Sequence, residues 1–402
     1  MNTRKLSVGV ALLVFSCVGH AGLLDSWTAR TSSTDILLSG IAYGSGQFVA
    51  AGGWFDRQYP YSHGEVLTSA DAVNWSPQPE QYPQLAGIAY GDGRFVAVGG
   101  DQDGWTLNFE TTSLGVMWGP STSWPLAPYF YAVTYGEGQF VTVGEFGSFV
   151  TSTNGINWAW PLCALNCSTL DPSLPLDPSL RGITYGNGQF VAVGDSGTIV
   201  TSADSTNWVQ RHSGTTFGLN GIISGNGLFV VVGGYYSQTN NLLTQSIILT
   251  STNGIDWIER PSATTNLLYA VAYGNSQFVA VGAFGTLLSS TDGINWTERQ
   301  SGTHNHLSSI CYGNGHFFAV GASGTILESG SIINLELKPN PANASVGLSL
   351  TGPSGLNYTT ETSPDLVSWH ALTNVISTQP TEIIFDPLPM AAGRAFYRAY
   401  SQ

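Results

Sequence analysis

Hydrophobic and polar positions alternate with a period of two through most of the chain, in short runs divided by turn residues. Residues 267–303 show it most plainly: LLYAVAYGNSQFVAVGAFGTLLSSTDGINWTERQSGT. Four runs here, Leu268–Tyr273, Gln277–Val281, Thr286–Ser290 and Trp296–Arg299, are rich in strand-forming residues. Gly274-Asn275-Ser276, Ala283-Phe284-Gly285 and the five residues from Thr291 to Asn295 separate them. This alternation predicts four antiparallel strands joined as a meander. One meander cannot cover both its faces, so copies must stack on one another.

The first hairpin recurs seven times: GIAYGSGQFVAAG from 40, GIAYGDGRFVAVG from 87, AVTYGEGQFVTVG from 132, GITYGNGQFVAVG from 182, GIISGNGLFVVVG from 221, AVAYGNSQFVAVG from 270 and SICYGNGHFFAVG from 309. The copies lie 39 to 50 residues apart, the length of a four-stranded propeller blade. Trp75, Trp118, Trp158, Trp208, Trp257 and Trp296 announce a fourth strand in six copies. The seventh stops at Thr325–Ser329 with no tryptophan of its own, whereas Ser26-Trp27-Thr28-Ala29-Arg30 matches Asn295–Arg299. The expectation is an all-β, seven-bladed propeller whose last blade takes its outer strand from the N-terminus, closing the ring and protecting sheet edges.

At the start, residues 1–21 combine Arg4 and Lys5 with an apolar run from Leu6 to Phe15 and a Gly19-His20-Ala21 cleavage site. That is a secretory signal, too short to span a bilayer. Val14-Phe15-Ser16-Cys17 offers a second reading, a lipoprotein box with a lipidated Cys17. Either way the protein is expected to be exported, to the envelope or beyond it. The chain has a formal charge of −14, and removing Arg4 and Lys5 makes it more negative. Nucleic acid and anionic membranes need a basic footprint and are excluded as partners. Charged residues are only 9% and glycines number 49, the composition of a turn-rich β protein. Cys163 and Cys167, four apart in a Pro-rich loop, could pair in an oxidising compartment. Cys311 takes a slot that holds Ala42, Ala89, Thr134, Thr184 or Ala272 in five other copies and reads as a small core residue.

Before five of the tryptophans stands a Ser/Thr-rich turn with an acid or amide at a fixed place: Asp71, Asn154, Asp204, Asn253 and Asp292. A side-chain oxygen there can accept backbone N–H bonds and hold the turn. The second copy is degenerate, with Leu114 at that place. These lines resemble the Asp-box, or bacterial neuraminidase repeat, S-x-D-x-G-x-x-W. The phrase Trp296-Thr-Glu-Arg-Gln-Ser-Gly-Thr303, with Val-Gly-x-x-Gly-Thr in the next copy, is similar to propellers related to photosystem II assembly factors. The resemblance covers 26–330 and implies fold. Asp-boxes in that superfamily face away from known active sites, so the resemblance implies little about activity. No metal or cofactor is expected at these loops.

Loops joining strands one to two and three to four are short and nearly invariant. Every long insertion falls in the other class: 53–65, 100–108 and 234–246 join strands two and three, and 119–130 and 159–180 lead into the next copy. One face of the disk is therefore plain and the other built up. That face carries Trp54, Phe55, Tyr59, Tyr61, Trp105, Trp124, Tyr129, Phe130, Trp160, Tyr235 and Tyr236, aromatic residues suited to sugar rings or a protein partner, or to packing the loops down. Sialidase chemistry is not expected, because Arg30, Arg211, Arg260 and Arg299 fall on outer strands. Asp56, Glu65, Asp101 and Asp103 leave a two-carboxylate glycoside hydrolase open, without singling out a pair. His304-Asn305-His306 reads as a solvated turn rather than a metal site.

From about 332 the repeat gives way to alternating strands with Pro, Gly and Asn turns, which predict a small β-sandwich over 332–402. Its Tyr-x-x-Glu-x-Ser-x-Asp-Leu-x-x-Trp phrase, ending at Trp369, and its closing Phe396-Tyr397-Arg398 resemble a module found at the ends of exported proteins of Verrucomicrobia and related bacteria. The domains expected are thus a signal peptide over 1–21, a propeller over 22–331 and this module. The functional expectation is a monomeric, non-catalytic binder of a glycan or envelope protein. A polysaccharide hydrolase and an envelope assembly factor are the alternatives.

Overall fold

The computed structural model describes residues 24, 26–55, 62–79, 84–100, 109–112, 119–120, 128–159, 178–236, 244–330, 334–339, 346–351, 357–363, 368–376, 381–385 and 396–401. The chain divides into two compact units, one of Leu24–Ser329 and the other holding Gly330–Gln402.

Among the described residues of the first unit, six antiparallel sheets have four strands each, and one, made of Phe130–Gly136, Gln139–Gly144 and Phe149–Ser152, has three. The innermost strands are Leu38–Gly44, Leu85–Gly91, Phe130–Gly136, Leu180–Gly186, Gly218–Gly225, Leu268–Gly274 and Leu307–Gly313. Each lies against the next, and the last lies against the first. The result is a propeller, its sheets numbered below in the order of these strands.

Alternation along each second strand explains the stacking. In Gln139–Gly144, Phe140 packs with Val96, Val98 and Val150 towards the second sheet. Val141 and Val143 point the other way, onto Phe190, Ala192 and Val200 of the fourth. Both faces are thus buried, each in a different inter-sheet core. The same kind of core joins the ends of the chain: Leu38, Phe48, Leu67 and Trp75 pack with Phe318, Val320 and Ile326. There the outer strand is Trp27–Arg30, paired antiparallel with Ile326–Ser329 so that Thr28 faces Glu328.

In the third sheet Trp158 predicts a fourth strand; among the described residues, which stop at Ala159, a bridge joins Thr151 and Ala159, with the Ala159 N–H donating to the Thr151 carbonyl at 2.8 Å.

Hairpins between first and second strands turn on two residues with positive φ, such as Ser45 at 47° and Gly46 at 75°, the two-residue turn that matches strand twist. Ahead of each turn a glycine receives an aromatic ring from the next sheet: Gly44 faces Tyr90, Gly91 Tyr135, Gly136 Tyr185, Gly225 Tyr273, Gly274 Tyr312 and Gly313 Tyr43. Only Gly186 meets a smaller group, Ser224. These ring-on-glycine contacts leave no room for a Cβ at those positions.

The turns before the tryptophans are held by their acid or amide. Asp292 Oδ1 accepts from the N–H groups of Ile294 and Asn295, both at 2.8 Å, and Oδ2 from Asn295 Nδ2 at 2.7 Å. Trp296 Nε1 then donates to the Gly293 carbonyl at 3.1 Å. Asp71 and Asp204 repeat the pattern, and Asn154 and Asn253 accept the two backbone bonds in the same way. Hydrogen bonds from the backbone N–H three residues on, chiefly, hold the three aspartates well below the usual carboxylate range. A lowered folded-state pKa gives stability that is complete above the unfolded value near ~3.9 and lost as pH falls towards the folded one. Because Asn occupies the slot naturally, the D71N/D204N/D292N variant should fold. Its melting temperature should fall less steeply than the wild type's between about pH 4 and pH 2. Parallel acid limbs in thermal scans would contradict this.

The second unit contains two three-stranded antiparallel sheets. One orders Asn334–Pro339, Val346–Thr351 and Thr381–Phe385; the other orders His370–Ile376, Asn357–Ser363 and Phe396–Ser401.

Candidate binding face

Second strands end in a glycine on the face that carries the insertions, and the residue two after it occupies one repeated place. In the third, fourth, sixth and seventh sheets the link is a single tight turn, and that residue is Phe146, Ser196, Phe284 or Ser323. All four have left-handed backbone, with φ of 55° to 56°. In the first and fifth sheets the strands run on past the glycine, and the same place is held by Trp54 and Tyr235.

Trp54, Phe146, Tyr235 and Phe284 are 44 to 58% exposed, although most large apolar side chains of this unit are buried. Left-handed backbone costs a residue with a side chain about 1–2 kcal/mol, and a phenylalanine gains nothing from exposure. Two phenylalanines doubly unfavourable for folding, in slots where serine serves equally well, point to use of their rings. Trp54 stacks on His63, with ring centres 5.0 Å apart, and Tyr235 on Phe217 at 5.7 Å.

A second, inner register comes from a bulge near the start of each first strand. The pairing slips between Phe130 and Ala132, between Leu180 and Gly182, and likewise in the other five sheets. The extra residues are Ser39, Ala86, Tyr131, Arg181, Asn220, Tyr269 and Ser308. A bulge re-aims its side chain. Arg181 is the one charged member, and Asp195 takes it bidentately, Nε to Oδ1 and Nη2 to Oδ2 both at 3.1 Å. Its guanidinium carbon sits 4.3 Å from the centre of the Tyr131 ring. Burial opposes the arginine's charge, but the bonds to Asp195 and the neighbouring Tyr131 outweigh it and raise its pKa. Burial also raises Tyr131 and Tyr269. In the sixth sheet the Phe284 N–H donates to His306 Nδ1 at 3.2 Å, and the Phe284 and Tyr269 rings lie 5.0 and 6.2 Å from the imidazole.

Of the aromatic residues read from the insertions, Trp54 and Tyr235 are exposed on this rim. Tyr129 is not a surface residue: it is 8% exposed and packs on Tyr131, with its N–H donating to Glu145 Oε2 at 3.1 Å. Phe130 is fully buried. Phe55 and Tyr236 end their strands, their side chains outside the described residues, where Tyr59, Tyr61, Trp105, Trp124, Trp160, Cys163, Cys167 and Cys17 also lie. Asp56, Asp101 and Asp103 share that position, while Glu65 accepts from the Thr34 hydroxyl at 2.6 Å. Arg211, Arg260 and Arg299 bond Thr201, Thr250 and Ser289 of their own sheets at 2.8 to 2.9 Å. Cys311 packs against the core between the last and first sheets, and burial pushes its thiol up. Among the described residues no three His, Cys, Asp or Glu side chains cluster as metal ligands, and no helix is long and apolar enough to cross a membrane.

No protein-family model matches the chain, and no curated protein matches it in sequence. Solved structures do. YCF48 from Cyanidioschyzon merolae superposes with a TM-score of 0.56 at 17% identity, over 76% of this chain and 98% of that one. A structure of YCF48 bound to a D1 peptide gives 0.55 at 16% identity, over 76% and 95%. At these identities the likeness shows the fold, an all-β propeller.

Proposed function

We propose that the protein is an exported, non-catalytic propeller of seven blades, five of them with Asp-box turns, closed by its N-terminal strand, that holds an extended segment of a protein partner on its aromatic rim. The observation that carries this reading is the repeated place filled by Trp54, Phe146, Tyr235 and Phe284, exposed in four sheets and left-handed in two. Exposed aromatic residues on a rigid frame supply contact area at low entropic cost. The blade count rests on the ring of inner strands and on Trp27–Arg30 pairing at its seam. Export rests on residues 1–21 as a signal. A propeller of this fold in complex with a peptide, YCF48 with a D1 peptide, agrees with the mode of binding proposed. Glycans are the second reading, favoured by the stacked pairs Trp54–His63 and Tyr235–Phe217, whose flat faces suit sugar rings.

Selection of random twelve-residue peptides on the full chain tests the proposal, run beside a variant with Trp54, Phe146, Tyr235 and Phe284 all changed to Ser. Enrichment on the wild type at least about tenfold above the variant is expected, since four aromatic contacts are removed. Equal enrichment on both would overturn the rim as the site. Binding of the wild type to a polysaccharide panel, with no peptide enriched, would favour the glycan reading.

A further inference from the structure

Resting on the partner-segment reading, we infer that the corner formed by Phe284, His306 and Tyr269 is the anchor site of the rim, and that it takes an uncharged residue with an aromatic or aliphatic side chain. Three observations converge there. Phe284 is the most exposed of the large apolar side chains, 58%, and is held left-handed. The Phe284 N–H occupies His306 Nδ1, so the neutral imidazole carries its proton on Nε2 as a donor. The Tyr269 hydroxyl is half-buried and bonds no other group among the described residues.

Charge decides the ligand class. Across the fifth to seventh sheets the bulge register holds Asn220, Tyr269 and Ser308, and the outer register Tyr235, Phe284 and Ser323. None of these is ionised at neutral pH. Arg181, in the adjoining fourth sheet, is already neutralised by Asp195. A charged side chain entering this corner would lose water and gain no counter-charge. An apolar one would cover the Phe284 ring, while its backbone carbonyl accepts from His306 Nε2–H or the Tyr269 hydroxyl. The anchor is thus a side chain and a carbonyl read together, as an extended peptide presents them.

Blocked amino acids are the probes: N-acetylphenylalanine amide, N-acetylleucine amide, N-acetylglutamic acid α-amide and Nα-acetyllysine amide. Saturation-transfer NMR on the full chain reads their binding. The two apolar probes should bind with Kd on the order of millimolar, as expected for ligands of this size. Phe284→Ser should weaken them at least about fivefold, the loss of one ring contact, and His306→Ala about threefold for one hydrogen bond. Ser196 and Ser323 hold the same left-handed slot, so Phe284→Ser is compatible with folding. No transfer to the wild type, unchanged transfer in Phe284→Ser, or preference for a charged probe would each overturn the anchor. Loss in Phe146→Ser but not Phe284→Ser would also overturn it, while leaving the rim itself as the binding face.

Discussion

Replacing Glu328 by Ala should cost the propeller about 2–4 kcal/mol, somewhat below the ~3–5 kcal/mol for removing one partner of a fully buried ion pair, because Arg30 is partly exposed. Glu328 lies on the third strand of the last sheet, opposite Thr28. Elsewhere that register holds a hydroxyl: Thr201, Thr250 and Ser289 accept from an arginine, and Thr68 from Gln78 at 3.0 Å. Here the carboxylate accepts Arg30 Nε at 2.6 Å and Nη2 at 2.5 Å, and its other oxygen lies 3.2 Å from His316 Nδ1. The difference has a polymer reason. Arg30 and Glu328 are 298 residues apart, whereas other outer strands join theirs through a short turn. Closing the longer loop costs up to about 3 kcal/mol more, and a charge-assisted pair in place of a neutral bond offsets part of it. Glu328→Thr, which installs the bond used in other sheets, should cost about half as much as Glu328→Ala. Denaturant midpoints report the stability, and amide exchange at Trp27–Arg30 locates it. Unchanged exchange in both variants would contradict a clasp at this seam.

Gly274→Ala should destabilise by about 2–3 kcal/mol through overpacking. A Cβ there would stand 2.1 Å from Cγ of Tyr312 and under 2.6 Å from both Cδ atoms. These atoms belong to the root of a ring that cannot swing aside, because Tyr312 itself packs on Phe317 with ring centres 5.0 Å apart. Gly227→Ala separates sterics from backbone. Gly227 has φ of +73° but open space around its Cβ position, so only the left-handed penalty of about 1 kcal/mol applies. Equal losses of stability in the two variants, by urea unfolding, would mean that ring-on-glycine packing contributes little.

Strand order and hairpins were legible because turn chemistry and alternation agree in every copy. The expected runs Leu268–Tyr273 and Gln277–Val281 differ by one residue from the observed Leu268–Gly274 and Gln277–Gly282. Trp27-Thr28-Ala29-Arg30 could be matched to Trp296–Arg299 because the repeat marks each register. Less of the binding rim was legible. Long insertions drew the eye to Tyr129, which the Tyr131 and Glu145 contacts bury. Phe146 and Phe284 sit in three-residue links that read as plain turns, and only aligning Val-Gly-Glu-Phe-Gly with Val-Gly-Asp-Ser-Gly and Val-Gly-Ala-Phe-Gly exposes the slot. Arg181 and Tyr131 reach the rim through a bulge, which alternation alone cannot place, because one extra residue reverses the face of everything before it.

Calorimetric titration of the most enriched peptide into the full chain and its four-serine variant tests whether the aromatic rim is the recognition surface. Binding to the wild type with a negative heat-capacity change is expected, as apolar surface is covered. The affinity should shift less than about twofold between low and high salt, since Arg181, the one arginine among the described residues of the rim, is already paired. The four-serine variant should bind at least about tenfold more weakly. Undiminished affinity in that variant, or binding abolished by salt, would contradict an aromatic rim as the recognition surface.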